Sequence, residues 1–136
     1  MTLLEELIAL LDLLDLDIGP AYSTKLPAAP DRAVAVARYG GTESVLADNY
    51  DAPNVQFRCR GPAADVRVAE RDAELIYDRL NGLERMTLPG GTWLSQLVGL
   101  NGGPVFIGQD ANSRDEYTVN FRCEISRTST NRENPA

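Results

Sequence analysis

The chain contains no histidine. That removes the Ser-His-Asp and Cys-His nucleophile systems and the commonest zinc ligand. It has only two cysteines, Cys59 and Cys123, and no CxxC pair. Both fall on the apolar phase of strand-like segments, which favours buried free thiols in a reducing cytosol over a disulfide. No glycine pattern matches a phosphate-binding loop or a dinucleotide fingerprint; Gly40-Gly41 and Gly102-Gly103 read as turn pairs. Basic residues are few: 13 Lys and Arg stand against 20 Asp and Glu, a formal net charge of −7. That balance argues against a surface made to grip nucleic-acid phosphates, and leaves open an acidic wall that lets DNA pass. A long apolar run is also missing. The leucine-rich N-terminus has Glu5 and Glu6 as its first charges and is broken by Asp12, Asp15 and Asp17. That fits neither a signal peptide nor a membrane span, so a soluble cytoplasmic product is expected.

What the chain does contain is the makings of one domain, since 136 residues suit a single core. Its most legible stretch runs from Asn54 to Leu83. Val55, Phe57 and Cys59 alternate with Gln56, Arg58 and Arg60, a strand with one apolar face. Gly61-Pro62 breaks it, and a helix is expected from near Ala63, with Val66, Ala69, Ala73, Ile76 and Leu80 as its apolar stripe. Asn81-Gly82 offers a positive φ at the helix end, and Leu83 a Schellman-type contact. Upstream, Thr2-Leu3-Leu4-Glu5 matches a capping box. It opens a helix with Leu3, Leu7, Leu10 and Leu14 on one stripe, widened by Leu4, Ile8 and Leu11, ending near Asp15. Leu13 and Leu16 lie off the stripe and read either as a wider core face or as a second contact surface.

The remaining segments are read as follows. Residues 18–31, with three prolines, form an extended connector, and Ala33 to Tyr39 a strand. Residues 42–53 form a polar loop interrupted by Val45, Leu46 and Tyr50, either a partner-binding element or a plain connection. Residues 84–91 read as a loop. Thr92 to Leu100 is a strand apolar on both phases, with Trp93 and Leu97 on one and Leu94 and Val98 on the other; such a strand is covered on both faces, the second cover being another subunit. Val105-Phe106-Ile107 is a short strand, and Glu116 to Ile125 a cleanly alternating one. The architecture is α+β: a mostly antiparallel (mixed) sheet of about five strands in the order α-β-β-α-β-β-β, with helices packed on one face. Residues 1–125 form the domain and 126–136 a mobile C-terminal tail.

Chemistry is scarce. Asp110 to Asp115 begins like a calcium loop, but Arg114 takes the fifth position, the bend glycine is missing and Phe121 stands where the bidentate Glu belongs, so an Asx-stabilised turn is expected. Nothing points to an enzyme, a cofactor or a metal. Two surfaces remain. One is the polar sheet face lined by Gln56, Arg58, Arg60, Thr118, Asn120 and Arg122. The other is the column Glu70, Glu74 and Asp78, spaced so that like charges repel slightly. The column reads as an ordinary solvated helix face, or as an acidic wall or inter-subunit contact.

The order of these pieces resembles the tail terminator proteins of long-tailed bacteriophages, also described as minor capsid proteins. The similar parts are the N-terminal helix, the strand ending Arg38-Tyr39-Gly40-Gly41 and the run Val55 to Gly61. The helix ending Ile76 to Gly82 and the closing segments Phe106 to Asp110 and Tyr117 to Phe121 complete them. The resemblance implies a non-enzymatic virion protein of the tail or neck, assembled in the host cytoplasm as a hexameric ring. Such a ring caps the tail tube, stops its growth and offers the head-joining surface. Its implied partners are the tail tube protein on one side and a head or neck connector on the other. DNA passes through the lumen without sequence-specific binding, and no membrane is involved. Ring contacts are expected from Arg58, Arg60, Arg122, Trp93 and Leu97 on one patch and Glu70, Glu74 and Asp78 on the other. Another neck component, such as a head-completion or stopper protein, is the alternative; a small cytosolic ligand-binding domain or enzyme is a remoter one.

Overall fold

The structure, a computed structural model, describes residues 1–132. The elements run α1 (Leu3–Leu14), β1 (Ala21–Ser23), β2 (Ala33–Gly41), β3 (Tyr50–Asp51), β4 (Pro53–Arg60), α2 (Arg67–Leu80), β5 (Glu84–Thr87), β6 (Trp93–Gly99), β7 (Val105–Gln109) and β8 (Asp115–Ser126). The fold is α+β, as expected, but the sheet is a curled one of eight strands, not about five. Its main path is β1-β2-β4-β8-β6-β5, with β3 and β7 pairing β8 off that path. Only β1–β2 is parallel.

The three extra strands lack an alternating pattern of their own. β1 lies inside the proline-rich connector, β3 inside the 42–53 segment, and β5 in the 84–91 stretch. Each is held by backbone bonds to a longer neighbouring strand, β2, β8 and β6 respectively. Tertiary context overrides weak local preference here.

The core lies between the helices and one face of the sheet. Leu3, Leu7 and Leu10 of α1, Ile76 and Leu80 of α2, Phe57 of β4 and Phe121 of β8 join one cluster, fully buried. Phe57 and Phe121 meet edge to face at 5.7 Å, the favoured aromatic geometry. Thr2 and Glu5 form the expected reciprocal capping box. Leu16 packs against the core, whereas Leu13 is exposed.

α2 starts later than its apolar spacing implied. Residues 63–66 are turn, Val66 is exposed, and the Asp65 carboxylate accepts the Arg67 N–H at 3.0 Å. Its far end is a type II turn, not a Schellman motif. Asn81 has φ −64° and ψ 120°, Gly82 has φ +85°, and the Leu83 N–H bonds Leu80 O at 3.0 Å. Only the second central position of that turn demands positive φ. The Gly82 N–H is thereby freed to bond Leu97 O at 2.8 Å, tying the helix end to β6.

β6 corrects a second expectation. A bulge between Leu94 and Gln96 shifts its register against β8. One extra residue moves the following side chains to the other face. Leu94 and Leu97 are therefore both in the core at 0% exposure, while Trp93 faces out at 43%. One face of β6 carries the burial, and no second cover is required for Leu97.

Candidate functional site

Two carboxylates missed in the chain's patterning tie the fold together. Glu6 is fully buried. It accepts the Thr92 N–H at 3.1 Å and the Thr92 hydroxyl at 2.5 Å, with the Arg127 guanidinium 3.8 Å away. Gly90 packs on it so closely that a Cβ there would lie 2.7 Å from Glu6 Cγ. Asp72 of α2 is also buried and accepts the Gly19 N–H at 3.1 Å and two N–H groups of Arg32 at 2.8 and 3.0 Å. Both acids sit three residues after and four before a stripe residue (Leu3 and Leu10; Ala69 and Ile76). That spacing places them on the buried side of their helices, and it is the signal by which they were readable.

The polar sheet face is stitched to itself. Arg58 donates to Glu116 at 2.7 Å, Gln56 to Asn120 at 3.1 Å and Arg122 to Glu124 at 3.1 Å. Glu124 also accepts the Tyr50 hydroxyl at 2.6 Å and Gln96 at 2.8 Å. Thr118 and Asn120 are buried. Arg60 is 3% exposed and spends its guanidinium on Asp31 O and Pro30 O at 2.9 and 2.7 Å.

Of the five residues expected at a ring contact, Leu97 and Arg60 thus have no surface to offer. Leu97 is turned inward by the bulge, and Arg60 is committed to the 28–31 loop. Arg58 and Arg122 are partly exposed with internal partners, and Trp93 is open. Arg114 reaches the same loop from β7–β8, donating to Ala28 O at 2.7 Å and to Asp110 at 2.7 Å. Asp110 in turn accepts the Asn112 and Arg114 N–H groups, the Asx arrangement expected there. Its oxygens are occupied by the chain's own donors. Among the described residues no group of His, Cys, Asp or Glu is placed to hold a metal ion, and no helix is long and apolar enough to cross a membrane.

The column Glu70, Glu74 and Asp78 is exposed along α2. Glu70 lies near Tyr117, whose hydroxyl burial, then Glu70 and Asp115, hold above its ordinary value. Tyr117 meets Phe106 of β7 at a tilt, ring centroids 5.3 Å apart, and one turn before the helix ends Tyr77 passes 3.9 Å from where a Gly103 Cβ would stand. The Glu70 end of the column therefore lies toward the part of β8 that β7 pairs, and on β7 Val105, Phe106 and Ile107 are 38, 53 and 48% exposed.

The other end of β8 carries a second open apolar group. Tyr50 and Trp93 pair Ser126 from opposite sides. Val45 and Leu46, at 46 and 70% exposure, head a four-residue turn closed by the Val45–Tyr50 bridge. Tyr50 itself is half-buried and bonded to Glu124. A cleft of about 350 Å³ opens between Asn49, Thr92, Trp93 and Arg127. A neighbouring one of about 250 Å³ is lined by Arg38, Arg127, Arg132 and Asp51. Residues 127–132 return to the body: Arg127 donates to Met1 O at 2.7 Å, and Arg132 to Asp51 at 2.7 Å and Val45 O at 3.2 Å. The remainder of the expected tail, 133–136, lies outside the described residues.

The arrangement can hold surfaces in place; among the described residues it sets no nucleophile beside a base. Against known protein families, residues 9–127 match the one described as bacteriophage tail terminator protein. No curated protein matches the chain.

Proposed function

The chain belongs to the bacteriophage tail terminator family, a structural component of the phage tail, and from that membership we propose that it forms a ring, hexameric by its resemblance, that caps the tail tube. The ring stops addition of tube subunits and presents the surface to which the head or its connector docks. The observation that carries this reading is the family match across most of the chain.

The geometry supports it in kind. The molecule has no catalytic constellation among the described residues, and two of its open apolar groups lie toward the two ends of β8, at Ser126 and at Tyr117–Thr118, about 30 Å apart along the strand. A subunit that touches neighbours on more than one side needs separated patches of this sort. The acidic balance fits a lumen through which DNA slides without adhering.

The test is to add the purified protein to polymerising tube protein and score tube length and end density by electron microscopy. Tubes are expected to stop growing, with extra density at one end. Tubes that elongate as before while the protein binds isolated heads would replace the terminator with a head-side neck component.

A further inference from the structure

The sheet treats its open edges differently. β5, at one end of the strand path, carries Glu84 and Arg85, the charges that keep a solvent-facing edge from pairing. β7 is hydrogen-bonded, among the described residues, to β8 alone, yet its sequence Val-Phe-Ile-Gly-Gln bears no charge. Its first three side chains are all exposed. A contiguous apolar edge of this kind marks a contact surface. The bulge between Phe106 and Gly108 interrupts the ladder with β8, so the contact is made by side chains and not by adding a long strand. Toward the part of β8 that it pairs lies the Glu70 end of the acidic column of α2.

We propose that neighbouring copies meet head to tail, the Val45–Leu46 knob and arginine cleft of one copy seating on the β7 edge and acidic column of the next. This rests on the ring reading and supplies its contact surfaces. The occupant is a second copy because the chain carries both halves of the fit. An apolar knob stands beside a cleft whose three arginines face Asp51 and, 3.8 Å from Arg127, Glu6, leaving one arginine in excess; it answers an apolar edge whose neighbouring helix carries three carboxylates. The halves lie at opposite ends of β8, so they do not meet within one molecule. Two β7 edges facing each other would instead oppose two acidic columns, which like-charge repulsion disfavours. Glu43 and Asp48 lie on the hairpin itself, so the complementary charge is confined to the cleft.

The test exploits the polarity of such a contact. Phe106→Asp spoils only the edge and Leu46→Asp only the knob; both sites are solvent-exposed, and unchanged melting curves verify the fold. By sedimentation, wild-type protein is expected to form rings. Each variant alone should stay monomeric or need about tenfold more protein to assemble. A 1:1 mixture should give a discrete dimer, because one intact edge and one intact knob remain. Wild-type-sized rings from either variant, or a mixture that stays monomeric while wild type assembles, would overturn this pairing and leave the ring standing. Wild-type protein that stays monomeric at every concentration, alone and with tubes, would overturn both.

Discussion

At the scale of single residues, buried carboxylates do work that their charge alone hides. Glu6 ends up without water because Thr92 supplies two donors and Gly90 leaves room for the side chain. A buried acceptor removed from its donors costs the desolvation of those donors, about 1–3 kcal/mol for each group left unpaired. Glu6→Ala should therefore destabilise the protein by about 3 kcal/mol in urea titrations, against a few tenths for the exposed Glu5→Ala beyond its capping loss. Equal effects of the two would show that the Thr92 contact carries no weight. Glu124 makes a pH-dependent case. The Tyr50 hydroxyl, first, and Gln96 and Arg122 after it hold the Glu124 carboxyl below its ordinary value of 4.5, against the opposing effect of burial. A carboxylate lowered by folding contributes stability that is present above its unfolded pKa and is lost as pH falls through the folded one. Unfolding midpoints measured below pH 4.5 should thus fall less steeply with acid in Tyr50→Phe than in wild type, and an unchanged slope would remove Tyr50 as the cause. The thiols stay out of such chemistry. Cys59 and Cys123 are free and buried, with Cys123 pushed up to about 12 chiefly by burial. Cys59 pairs Tyr117 on β8, six residues from Cys123, which is about 20 Å along the strand and far beyond disulfide reach.

Elements follow the same logic one level up, and here the limits of patterning are visible. α1, β4, α2 and β8 were legible because each carries its own period and bounds: the capping box, the alternation from Val55 to Cys59, the stripe through Ile76, the run to Ile125. β1, β3 and β5 were not, because their residues carry no alternation and their pairing is dictated by the neighbouring strand, next in the chain for β1 and β5 and at the far end of the domain for β3. The face of Leu97 was misread because a bulge leaves no mark in residue type. Sheet placement also separates Arg58 from Arg60, which alternate identically in the sequence. Both belong to the polar phase, but only Arg60 meets the 28–31 loop, whose carbonyls it and Arg114 hold. That loop is an element secured by side chains. Arg60→Glu should place a carboxylate against two carbonyl oxygens and cost several kcal/mol, about 3 or more, with protease cleavage appearing between residues 24 and 32. Arg58→Glu, half-exposed, strands only the buried Glu116 carboxylate and should cost less, about 1–3 kcal/mol. A double Arg58→Glu, Arg60→Glu variant should therefore unfold with the Arg60 change, and one that melts like wild type would remove the loop contact as a source of stability.

For the whole molecule, the decisive quantity is how its charge is arranged. The chain carries a net −7, and the arginines are dispersed into pairs: Arg32 with Asp72, Arg58 with Glu116, Arg114 with Asp110, Arg122 with Glu124 and Arg132 with Asp51, at 2.6 to 3.1 Å. An arginine already bonded to a carboxylate has little field left for a phosphate, and releasing it costs the pair. Affinity for duplex DNA comes from several cations acting together and releasing counterions. The cleft of Arg38, Arg127 and Arg132 is small, holds Asp51 as well, and has Glu6 3.8 Å from Arg127, and Arg60 and Arg114 are spent on the 28–31 loop. Duplex DNA should therefore show no retardation by the protein even at ~50 mM salt, where basic surfaces bind hardest. The same should hold for assembled rings, whose proposed contacts consume that cleft together with the acidic column and leave no cluster of unpaired cations on the surface. A gel shift that weakens steeply with salt would mean that a cationic surface forms on assembly, and the sliding lumen would have to be replaced by one that grips.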